Sequence, residues 1–69
     1  MTVKHIQITV QHLPEGVFLA TSADVPGLTV ECETRDAVIK TAPEVAVELI
    51  ELEEGHPLER RPKFTFTFI

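Results

Sequence analysis

The chain has 69 residues, carries a formal net charge of −5, and is 43% hydrophobic and 25% charged. That length bounds it to a single domain over residues 1–69, and the composition excludes a disordered chain. The acidic balance argues against a binder of phosphate backbones, which needs clustered Lys and Arg, and is suited to solubility or to a basic partner protein.

A domain this small buries only about 60% of its unfolded surface, so its own core is marginal. Disulfides and zinc are the usual remedies. Cys32 is the only cysteine and no Cys/His quartet exists, which leaves oligomerisation as the expected one. Residues Met1 to Gln7 hold no apolar run of the signal-peptide kind, and no stretch nears the roughly 20 apolar residues of a membrane span. A lone thiol fits a reducing compartment, so a cytoplasmic location is expected. Asn is absent while Glu is abundant, a bias that leans toward a heat-adapted source.

From Val3 to Gln11 the residues alternate, with Ile6, Ile8 and Val10 on one side and His5, Gln7 and Thr9 on the other, the period-2 pattern of a half-buried strand. Leu13-Pro14-Glu15-Gly16 supplies turn chemistry, and a second strand from Val17 to Ser22 completes a hairpin. Its buried face is open, because Val17/Leu19 and Phe18/Ala20 are both apolar pairs. Asp24-Val25-Pro26-Gly27 is the next turn. A third strand, Leu28 to Glu33, sets Leu28, Val30 and Cys32 against Thr29, Glu31 and Glu33.

Thr34 is placed to cap a helix over Arg35 to Glu54, with Asp36 in its first turn. A helical wheel gathers Val38, Ile39, Ala42, Val45, Ala46, Leu49, Ile50 and Leu52 into an apolar stripe and puts Lys40, Glu44, Val47, Glu48, Glu51 and Glu54 opposite. Pro43 removes a donor inside the helix and kinks it; alternatively Thr41-x-x-Glu44 caps a second helix after a break. Gly55 is a natural terminator. Lys63 to Ile69 alternates Phe and Thr and reads as a strand with Phe64, Phe66 and Phe68 on one face. The order β-β-β-α-β predicts an α+β domain. A right-handed crossover gives a four-stranded mixed sheet of order 3-2-1-4, with one helix on one face.

Glu15-Gly16-Val17-Phe18-Leu19-Ala20 followed by Ser22-Ala23-Asp24-Val25-Pro26-Gly27-Leu28 resembles the HicB-like domain. So do the Thr34 cap and Glu53-Glu54-Gly55-His56-Pro57; the likeness runs from about Glu15 to Leu58. The resemblance implies a reduced ribonuclease-H-like layout. It also implies an antitoxin-type role, the binding of a small basic mRNA-cleaving toxin. Many HicB proteins carry a separate DNA-binding segment after this domain. No counterpart follows the fourth strand here, so the chain is closer to the short stand-alone branch, and direct contact with nucleic acid is not expected.

Ribonuclease-H-like catalysis needs carboxylates on the first and fourth strands to hold Mg²⁺. Neither strand has an Asp or Glu, so no enzymatic activity, cofactor or metal is expected. His5 and His12 lie seven apart on one strand and project to opposite faces. Cys32 is flanked by Glu31 and Glu33 and reads as a small core residue rather than a nucleophile. Two surfaces remain. Glu44, Glu48, Glu51 and Glu54 form an acidic helix face, either solvated or able to meet a basic protein. Phe64, Thr65, Phe66, Thr67 and Phe68 form an aromatic edge strand that invites pairing with a second copy, giving a homodimer or a larger assembly. The alternative function is a structural or regulatory homo-oligomer without a toxin.

Overall fold

The computed structural model describes residues 4–69. Strand β1 (His5–His12), β2 (Phe18–Thr21) and β3 (Thr29–Cys32) precede helix α1 (Arg35–Glu54), and β4 (Lys63–Phe68) follows it. The sheet order is β3-β2-β1-β4, with β1 antiparallel to β2 and parallel to β4. This is the four-stranded α+β arrangement expected from the sequence.

Boundaries move for local reasons. The expected start of the first strand at Val3 lies outside the described residues. β1 reaches His12 because His12 pairs with Phe18 across the hairpin. The hairpin closes through Leu13 N to Val17 O at 2.9 Å and Gly16 N to Leu13 O at 2.9 Å. β2 stops at Thr21 because the next residues turn their side chains, not their backbone, toward β1.

Leu28 N donates to Val25 O at 3.1 Å. With Pro26 and Gly27 at the two central positions and Gly27 at φ 88°, this is a type II turn. A side chain at Gly27 would meet no neighbour, so the positive φ is what requires glycine there.

Ile6, Ile8, Val10, Ala20, Val25, Leu28 and Val30 form the sheet side of the core, and Val38, Ala42, Ala46 and Ile50 the helix side. Ala20 settles which face of β2 is buried; Leu19 and Thr21 point to the open side. Cys32 is half-buried at the margin of the core rather than within it.

Thr34 Oγ1 accepts from Ala37 N at 3.0 Å, and Gly55 closes the helix with its N–H on Glu51 O at 2.8 Å. Between them α1 is a single helix. Pro43 therefore starts no second helix, and Thr41-x-x-Glu44 is not a capping box. The proline ring is buried, which offsets the donor missing opposite Ile39. Leu52 is a second correction: it is 79% exposed. It lies four residues after Glu48, on the outer face, because 100° per residue carries it away from Ile50.

Candidate interaction surfaces at the β4 edge

Among the described residues β4 borders the sheet and pairs on one side only. Lys63 N donates to Lys4 O and Ile69 N to Val10 O, each at 2.9 Å. Odd-numbered residues of β4 thus direct their backbone groups at β1. By alternation Phe64, Phe66 and Phe68 direct theirs at the open edge. Three donors and three acceptors stand in a row along it.

The same residues carry the aromatic row. Phe64, Phe66 and Phe68 are in register with Ile6, Ile8 and Val10, so their rings lie on the helix side of the sheet. The helix, however, packs mainly over β3 and β2. Phe64 and Phe66 remain half-buried and Phe68 is 40% exposed. Phe66 and Phe68 stack with centroids 6.5 Å apart. The edge strand expected from the sequence is thus brought together with an apolar strip that its own helix covers only in part.

Two guanidiniums lie over that strip. Arg35, at the start of α1, sits 4.7 Å from the Phe68 centroid, and Arg61 sits 5.7 Å from that of Phe64. Neither forms an ion pair among the described residues. The sequence pattern gave no reason to associate either arginine with the aromatic row; only the crossover connecting α1 to β4 does so. At the same end of the sheet the His12 ring stacks on Phe18 at 4.4 Å. His5 projects to the opposite face, as its spacing from His12 requires.

The turn motif has a structural task. Asp24 Oδ2 accepts from Gln7 N at 2.9 Å, Ser22 Oγ donates to Gln7 O at 2.6 Å, and Asp24 N donates to Ser22 Oγ at 3.1 Å. Side chains thus continue the β1 ladder where β2 has turned away, and Pro26 and Gly27 shape the turn that holds them.

Of the acidic row, Glu44 and Glu48 are exposed. Glu51 accepts from Leu58 N at 2.9 Å and fixes the connection to β4. Glu54 lies 3.6 Å from Lys4 and 3.8 Å from His56. Among the described residues the row is therefore divided between two carboxylates without a partner and two with internal partners.

The open face of the sheet is polar. Thr67, Thr9, Thr21 and Thr29 form one rank across all four strands, and Gln7 Nε2 donates to Thr67 Oγ1 at 3.0 Å beside it. Among the described residues no group of three or more His, Cys, Asp or Glu could hold a metal ion. No helix among them is long and apolar enough to cross a membrane.

The family model described as "Domain of unknown function (DUF1902)" matches residues 4–68. The chain belongs to this family. The match takes in every strand and the helix of the DUF1902 domain, so the β4 edge and the Ser22–Asp24 clamp both fall inside it. No curated protein and no solved structure matches the chain.

Proposed function

We propose that this DUF1902 domain is a non-enzymatic, oligomeric protein-binding module of the HicB type, which associates with itself along β4. The observation that supports this most is the open β4 edge, where unpaired backbone groups and a half-covered aromatic strip belong to the same three residues. Edge strands of this kind pair readily. An antiparallel partner centred on Phe66 would oppose Phe66 to Phe66 and Phe64 to Phe68, using all six outward groups. Shifting the centre to Thr65 would set Phe68 against Pro62, which has no N–H to donate. The Phe66-centred register is therefore preferred.

In this reading the free carboxylates Glu44 and Glu48 on the outer helix face meet a basic protein, such as a small mRNA-cleaving toxin. A second reading is favoured by Glu51 and Glu54, whose carboxylates have internal partners: a structural or regulatory homo-oligomer that has no toxin. Co-purification from native lysate with mass spectrometry separates the two, since recovery of the chain alone removes the toxin.

Light scattering at micromolar concentration tests self-association. The wild type is expected to be a dimer. Phe68→Pro deletes an outward donor that the monomer does not use, and Phe66→Lys sets two like charges across the axis; both are expected to give folded monomers. A monomeric wild type, or a Phe66→Lys dimer as tight as the wild type, refutes the edge-pairing reading.

A further inference from the structure

The dimer axis through Phe66 has a geometric consequence that rests on the self-association proposed above. Directly opposed residues of antiparallel strands share a face. The two copies then form one eight-stranded sheet with both helices on the same side. With α1 over β2 and β3, the helix axes stand six strand spacings apart, about 29 Å at ~4.8 Å per strand, which leaves ~19 Å clear between helices of ~10 Å diameter. The floor of that trough is Phe64, Phe66 and Phe68 from each copy. Its corners are Arg35 and Arg61, two per copy, each over an aromatic ring and none in an ion pair among the described residues.

We infer that this trough is a docking site for one amphipathic helical segment of a partner protein, carrying an apolar stripe flanked by acidic residues. That width admits one helix of about 10–12 Å but not two side by side. The floor is about 13 Å long, from Phe64 to Phe68, which matches roughly two turns and an i, i+3, i+7 stripe. The charge argument is specific. In a chain of net charge −5 with only six Lys and Arg, two arginines border the aromatic strip, and neither has a carboxylate partner there. Acidic flanks on the segment would supply those partners. This surface is opposite in character to the Glu44/Glu48 face and independent of it.

The chain contains no Trp, so tryptophan fluorescence from a mixture reports only a labelled probe. The probe is a synthetic helical peptide with leucines at i, i+3 and i+7, one Trp, and glutamates on both flanks; its control carries lysines instead. Anisotropy is measured against the full chain while light scattering records the oligomeric state. The glutamate peptide is expected to bind one per dimer. The lysine peptide, and the glutamate peptide on an Arg35→Gln/Arg61→Gln dimer, are expected to bind about tenfold more weakly, as four partly exposed charge contacts would give together.

A dimer that binds neither peptide, or both equally, or that is unaffected by the double substitution, overturns the docking site and leaves self-association standing. So does a tetramer whose trough is filled by another pair of copies. A monomeric wild type overturns both.

Discussion

Replacing Asp24 with Ala tests whether the turn motif acts as a substitute for the sheet ladder. The substitution removes the carboxylate that accepts from Gln7 N at 2.9 Å and loosens the Ser22 hydroxyl, which bonds both Gln7 O and Asp24 N. Hydrogen bonds to charged groups contribute about 1.5–3 kcal/mol when shielded, and these are exposed, so water will recover part of the loss. A destabilisation of about 1–2 kcal/mol is expected. For a domain this size each kcal/mol lowers Tm by roughly 4–8 °C. Asp24→Asn keeps an acceptor and should lose about half as much. Ser22→Ala acts on the same Gln7 peptide, so the double variant should fall short of the sum of the singles by about 0.5 kcal/mol or more. The assay is thermal and urea unfolding followed by circular dichroism, at one fixed protein concentration because self-association would make Tm depend on it. Changes under 0.5 kcal/mol, or strict additivity of Ser22→Ala and Asp24→Ala, would refute the clamp.

Two further substitutions probe the core. Ile8→Ala empties a fully buried position between β1's neighbours and should cost about 2–5 kcal/mol, enough to unfold much of the population, read as loss of cooperative urea unfolding. Pro43→Ala restores a donor opposite Ile39 at the expense of buried ring surface. Helix propensity alone favours alanine by about 3 kcal/mol, so a net gain near 1 kcal/mol in the same unfolding assay is expected, and a loss would show that the ring's packing dominates.

The strand order was readable because each element carried its own period and its own terminator. Ile6, Ile8 and Val10 have no apolar residue between them, so only one face of β1 could be buried. Thr34 and Gly55 marked both ends of α1. β2 resisted the same reasoning because Phe18, Leu19 and Ala20 are consecutive and apolar; only pairing with Val10 and Val30 selects Ala20. Leu52 misled because its hydrophobicity, not its angle on the wheel, drew it into the stripe. At the β4 edge, the aromatic alternation was legible while the arginines above it were not. Arg35 and Arg61 are 26 residues apart by their numbers, and they border one strip only because α1 runs back along the sheet before β4 begins.

β1 pairs with β4 across a long span of sequence: His5 meets Lys63 and Val10 meets Phe68. During synthesis the β1–β2 hairpin is made well before the residues that complete the layer. Until Lys63 to Phe68 leave the exit tunnel, one margin of β1 is bare, and the nascent domain resembles a three-stranded ribbon awaiting closure. Such non-local parallel pairing forms slowly. Under the edge-pairing reading proposed above, that strand acquires a free edge to offer a second copy only after it has zipped onto β1, so folding within a chain precedes coupling between chains.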